Sequence, residues 1–205
     1  MDLQPYLSEE FNDLDLIRDS FMEHKFSVHL QLEKNLSPFK DDSDELNELY
    51  FKSVYKNAIS IFEDLFQNGD SVFLVLHIRS DLPLTRKTGI YEKYVKNPNI
   101  YKLACKKVFL EDEQEQIIQY SLLCQREQLS YKQLIKAICN QDFRSLKPRL
   151  KDKNTYYPEI FFININKNII LNIYDDRGGF ILLNNPEDHK YLENKYKELL
   201  MEDNY

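Results

Sequence analysis

Glycine is scarce in this chain: four residues in 205, at positions 69, 89, 178 and 179. So few glycines exclude a dinucleotide fingerprint and a phosphate-cradling P-loop, which need several within one short loop. HExxH and GxSxG are absent as well, which disfavours the common metalloprotease and serine-hydrolase chemistries. The three cysteines, Cys105, Cys124 and Cys139, are widely spaced and odd in number, so neither a disulfide framework nor a zinc ligand set is expected. Three buried, reduced thiols in a cytoplasmic protein are the simpler expectation. Tryptophan is missing, which excludes nothing.

Long apolar runs are also lacking. The strongest, Val72 to Leu76, is far too short to cross a bilayer, and Met1-Asp2-Leu3-Gln4-Pro5 has neither a basic nor an apolar leader region. A cytoplasmic protein without membrane contact is therefore expected. Positive charge is outweighed, with 27 Lys and Arg against 34 Asp and Glu for a formal net charge of -7. That balance argues against nucleic-acid binding, which draws on a cationic surface. The basic run Lys147-Pro148-Arg149-Leu150-Lys151 reads as a solvated loop. An acidic chain suits a basic protein partner, because complementary charge speeds docking.

What is abundant is aromatic and aliphatic side chain: 14 Tyr, 13 Phe and a 42% hydrophobic fraction. A disordered chain lacks that content, and 205 residues bury a sizeable core without staples. A single domain over residues 1–205 is expected, with a separable N-terminal lobe over 1–100 as the alternative. The recurring Tyr and Lys, as in Tyr91-Glu92-Lys93-Tyr94, fit compositional bias better than an interaction surface.

Periodicity supplies the elements. Leu7, Phe11, Leu14, Ile17 and Phe21 have helical spacing over 6–23, as one helix or two short ones. Phe26 to Leu32 alternates as a half-buried strand. A long helix is expected over 43–67, with Asp42 as N-cap, Glu45 completing the box, and a stripe that includes Leu46, Leu49, Tyr50, Val54, Phe62 and Leu65. Val72 to Ile78 is apolar on both faces and reads as a central strand. Residues 80–100 read as a long loop. Strands follow over 103–110 and 117–124, then a helix over 131–139 opened by Ser130 with Gln133.

The last third gives strands over 160–165, 169–174 and 180–183. A final helix then runs from Pro186 to about Met201, capped by Asn185, with Tyr191, Leu192, Tyr196, Leu199 and Leu200 as its core face. The fold class is α+β: a mainly antiparallel sheet with helices packed on it, ending in a three-strand meander and a helix.

One polar group stands out. Tyr174-Asp175-Asp176-Arg177-Gly178-Gly179 holds half of the glycines and joins two apolar runs. Turn chemistry explains Asp175 and Gly178: Asp accepts backbone N–H bonds at the first turn position, and Gly suits the fourth, beside a residue of positive φ. It does not explain Asp176 and Arg177 at the tip. Tyr174, Asp175, Asp176 and Arg177 are therefore the candidate contacts for a partner or ligand. Two carboxylates alone make an incomplete Mg²⁺ site, so no metal or cofactor is expected and no catalytic residue is assigned. His29 and His77 lie on expected strands, and His77 shares a face with Arg79; the two histidines cluster only if those strands adjoin.

From Tyr131-Lys132-Gln133-Leu134-Ile135-Lys136-Ala137-Ile138 through Phe161-Phe162-Ile163-Asn164 to Ile173-Tyr174-Asp175-Asp176-Arg177-Gly178, the chain resembles the bacterial domain-of-unknown-function family 3885. The likeness covers residues 118–200 well, and more loosely the Phe26–Leu32 and Ile78-Arg79 strands. In that family a strand ending in the same YDDRG string leads to a short strand and a final helix. Here Gly179 and Phe180 depart from the pattern, which has a larger residue and then an acidic one. The family has no established activity, so the resemblance implies no catalytic residues. It implies a cytoplasmic protein of low-GC Gram-positive bacteria and, by association with toxin systems, an immunity-type inhibitor of a basic toxin. Two further readings are an enzyme or small-ligand binder using Asp175, Asp176 and Arg177, and an oligomerising module. A tip lying in a cleft with converging carboxylates would favour the ligand reading, and a convex, solvated tip would remove it.

Overall fold

In the computed structural model, residues 2–79, 89–110, 115–150 and 157–201 are described. Helices α1 (Leu3–Phe11) and α2 (Arg18–Glu23) precede strand β1 (Ser27–Gln31), helix α3 (Glu48–Leu65) and strand β2 (Ser71–Arg79). Helix α4 (Gly89–Tyr94), strands β3 (Ala104–Leu110) and β4 (Glu115–Gln125), and helix α5 (Tyr131–Cys139) follow. The chain closes with β5 (Glu159–Asn164), β6 (Ile169–Ile173), β7 (Gly178–Leu183) and α6 (Pro186–Lys195). The class is the expected α+β, with the β5–β6–β7 meander followed by a helix.

The seven strands form one antiparallel sheet in the order β1-β7-β6-β5-β2-β4-β3. Strand β2 lies between β4 and β5, as an apolar run on both faces requires. Its alternate residues serve two cores. Val72, Leu74 and Leu76 pack with α3 and α5, whereas Phe73 and Val75 pack with α1 and α2. Phe62 of α3 is fully buried among Phe66, Tyr131 and Phe162, at ring distances of 4.4, 4.5 and 5.1 Å. Truncating such a ring costs about 3–5 kcal/mol.

Several boundaries differ from the sequence reading, each for a local reason. The first helical segment starts at Leu3 and not at 6, and takes the two-helix form, one of the two expected, because Asn12 and Asp13 turn through the left-handed region at φ 51 and 59°. Helix α3 begins at Glu48, not near 43. Asn47 is the cap, accepting from the Leu49 N–H, while Asp42 is itself left-handed and Phe39 bridges Leu46 in a small turn closed by Lys40 and Glu45. That late start leaves Leu49 exposed instead of in the stripe.

Residues 89–94 are helical within the expected 80–100 loop; positions 80–88 lie outside the described residues, as do 111–114 and 151–156 of the expected connections. Ser130 opens α5 without a side-chain cap bond; the reciprocal capping box belongs to Gln125 and Gln128 just before it. Asn185 caps α6 as expected, accepting from the Asp188 N–H at 2.9 Å. The helix ends at Lys195 and is followed by a 3-10 turn, and Tyr191 faces solvent instead of the core. Cys124 and Cys139 are buried and Cys105 only partly so, all three as free thiols.

Candidate functional site

At the hairpin tip between β6 and β7 the two carboxylates are tucked in, while the Arg177 side chain is 70% exposed. Asp175 and Asp176 keep only 3% and 4% of their surface exposed. Asp175 acts as the turn reading requires: its Oδ1 accepts the Arg177 backbone N–H at 2.8 Å. Its other oxygen takes the Arg177 Nε at 2.9 Å and pairs with Nη2 as well. Bonding to Asp175 is the main reason that the Arg177 guanidinium holds its charge more firmly than usual.

Asp176, at the apparent tip, points into the fold. The Tyr50 hydroxyl, on the first turn of α3, donates to Asp176 Oδ2 at 2.7 Å. Burial raises the Asp176 carboxyl above its ordinary range, the Tyr50 bond opposes that rise, and Asp175 adds to it by repulsion.

The two glycines are explained by space and not by conformation. Neither has positive φ, which corrects the turn geometry expected from sequence; Gly69 is the glycine that does, at 89°. A Cβ on Gly178 would overlap the Leu30 carbonyl oxygen and the Tyr174 hydroxyl, and one on Gly179 would sit 2.6 Å from the Asn172 carbonyl oxygen. These glycines let β7 close onto β1 and β6. The Leu32 N–H donates to the Arg177 carbonyl at 2.9 Å, extending that closure.

The turn after α5 supplies a third wall. Gln141 Nε2 donates to the Tyr174 carbonyl at 2.7 Å, and Arg149 Nη1 holds the Gln141 carbonyl at 2.9 Å. The same turn carries Asp142, whose carboxylate oxygen and those of Asp175 and Asp176 all lie within 4.8 Å of one another. Burial, then Asp175, raises the Asp142 carboxyl. Three such oxygens are a donor set for a hard divalent cation. Both Asp175 oxygens already accept from Arg177, and one Asp176 oxygen accepts from Tyr50.

Beside the tip lies a cleft of about 280 Å³. Arg177, Asp175 and Tyr174 form one side; Arg79 at the end of β2 and Glu159 at the start of β5 form another, paired at 3.4 Å. Gln141 and Asn172 add amides, and Tyr157 and Phe161 add rings. Arg18, at the start of α2, completes the rim with its guanidinium 5.4 Å from the centre of the Tyr174 ring. The Tyr174 hydroxyl is 3.1 Å from His29 Nε2 and is pushed up to about 12, chiefly by burial. A larger concavity, about 500 Å³, is lined by His29 together with Asp19, Glu23, His24 and Glu193. It contains none of the motif carboxylates.

The four candidate residues Tyr174, Asp175, Asp176 and Arg177 thus lie together, with the two carboxylates inward. His29 and His77 do not meet, because β7, β6 and β5 separate β1 from β2. His77 is buried beside Gln119, at 2.8 Å. Sequence reasoning did not find Arg18, Gln141 or Asp142 and read Tyr50 only as part of an apolar stripe. No local pattern marks these residues. They converge through sheet order and through the packing of α3 and α5 behind the meander.

Among the described residues, no helix is long and apolar enough to cross a membrane. A family model described as Domain of unknown function (DUF3885) matches residues 3–204. The uncharacterized protein YnaE of Bacillus subtilis (strain 168) is 31% identical over 211 residues, covering 98% of each chain. No solved structure matches. The likeness read on residues 118–200 therefore extends over nearly the whole sequence, and the chain belongs to the DUF3885 family.

Proposed function

We propose that this chain is a binding protein whose site is the cleft beside the Tyr174–Arg177 hairpin, and that its ligand is a small polar molecule. The observation carrying this reading is the buried Asp175 in the wall of that cleft, bound to Arg177, with the oxygens of Asp176 and Asp142 converging on it. A hairpin needing only a turn would leave its tip carboxylates in water. Burying two of them costs free energy unless they are bonded; here Asp175 fixes Arg177 along the wall of the cleft, and Asp176 accepts from the Tyr50 hydroxyl. The size suits a metabolite, near the lower end of typical ligand pockets.

The test is a titration of small-metabolite pools into the full chain, followed by amide chemical shifts. Ligand-dependent shifts at Gln141, Tyr174 and Arg177 support the reading. A complete screen that leaves those amides unmoved sinks it.

A second reading, an immunity-type inhibitor that binds a basic toxin, draws on a different surface. Leu36, Phe39 and Leu49 are exposed beside Asp41, Asp42, Asp44, Glu45 and Glu48, an acidic ledge with apolar contacts before and at the start of α3. Such a ledge suits a cationic protein surface. Co-purification with products of the adjacent genes, and protection from any toxin among them, tests it. Loss of capture in Leu49→Asp supports this surface, whereas no capture and no protection removes the reading.

A further inference from the structure

We infer that the ligand of the hairpin cleft carries an oxyanion, a phosphate or carboxylate group, and that Arg18 is the residue that receives it. This inference rests on the ligand-binding reading of the same cleft. It follows from how charge is distributed there.

Arg18, Arg79 and Arg177 border the cleft, against the two carboxylates Glu159 and Asp175. Among the described residues that line it, the walls hold one positive charge in excess, although the whole chain carries -7; Asp142 and Asp176 lie near Asp175 but do not line the cleft. Arg79 pairs with Glu159, and Arg177 is bound to Asp175. Arg18 is exposed and makes no ion pair among the described residues; its contact there is the face of the Tyr174 ring. A guanidinium over a ring still has its N–H groups to donate, and that planar fork matches a carboxylate or phosphate. The two paired arginines add positive potential behind it without needing a further counter-charge. Tyr157 and Phe161 offer rings to the remainder of the ligand. At about 280 Å³ the cleft takes a small metabolite and not a dinucleotide.

The experiment uses the full-length protein and two probes, inorganic phosphate and acetate, each compared with sodium chloride at equal ionic strength. Affinity is read from amide shifts at Gln141, Tyr174 and Arg177. One or both probes are expected to bind saturably where chloride does not, and which one binds identifies the oxyanion. Arg18→Gln is expected to weaken that binding at least about tenfold, the loss of one charge-assisted contact. Arg144→Gln, outside the cleft, is expected to leave it unchanged. Because Arg18 is exposed, its variant folds as the parent does, which circular dichroism checks.

No saturable binding beyond chloride, or equal affinity in Arg18→Gln, overturns the inference. If a neutral metabolite moves the same amides while both anions fail, the inference falls and the ligand-binding reading stands. If nothing moves them, both fall.

Discussion

The Tyr50 hydroxyl donates to the Asp176 carboxylate across 126 positions of sequence, at 2.7 Å and out of contact with bulk water. This bond ties the first turn of α3 to the β6–β7 tip. Tyr50→Phe is expected to lower stability by about 1–3 kcal/mol, because the ring still packs but a buried acceptor loses its donor. Urea denaturation measures it. A Tyr50→Phe, Asp176→Asn double variant should lose less than the sum of the two single changes.

Asp176 also sets a pH dependence. Its folded carboxyl is raised, so the folded state binds the proton more tightly than the unfolded chain. The sign follows: this group's contribution falls as pH rises from the unfolded value, about 3.9, through the raised folded value. Asp176→Asn keeps an oxygen for Tyr50 and removes the charge. It is expected to be more stable than the parent at pH 7, with the difference closing below about pH 4. Equal stability at both pH values would show that Arg177 already offsets the repulsion.

His77 has the opposite sign. It is buried, and burial, then Lys106, lowers its pKa from 6.5 to about 3. The unfolded chain therefore takes up the proton first. The stability contribution is complete above pH 6.5 and is lost as pH falls towards about 3. The slope approaches ~1.4 kcal/mol per pH unit for one proton. His77→Gln should flatten that part of the stability profile, as denaturation at a series of pH values will show.

Gly178→Ala is expected to cost at least about 1–3 kcal/mol, since the added carbon meets the Leu30 backbone oxygen, which cannot swing aside as a side chain does. Gly89→Ala is the contrast. Nothing lies within 4 Å of its Cβ position, and in α4 the change should be neutral or stabilising by about 0.5–1 kcal/mol. Melting temperatures of the two variants give the comparison.

Much of the fold was legible because burial leaves a period in the sequence. The two-faced apolar run at Val72 to Leu76 identified the central strand, and Asn185-Pro186 marked the start of α6. The start of α3 was misplaced for a physical reason: the acidic run Asp41, Asp42, Asp44 imitates a helix N-terminus, yet Phe39 and Leu46 pair across it and hold a turn. At the site, turn chemistry correctly explained Asp175. It gave the wrong reason for Gly178, because the close approach comes from β1 and the Tyr174 ring, which no local pattern shows. Asp176 stood unexplained at the tip because its partner, Tyr50, lies in another third of the chain.

The strand order bears on synthesis. The sheet neighbour of β1 is β7, and Leu32 and Tyr50 find their hydrogen-bond partners at Arg177 and Asp176. A chain emerging from the ribosome N-terminus first holds β1 unpaired, with Val28 and Leu30 unburied, until nearly the whole sequence has been made. The cleft therefore takes shape at the end of translation, when the first and last thirds meet. A chain cut short before residue 174 contains every residue of α3 and β2 and still has no Asp-Asp-Arg tip to close on.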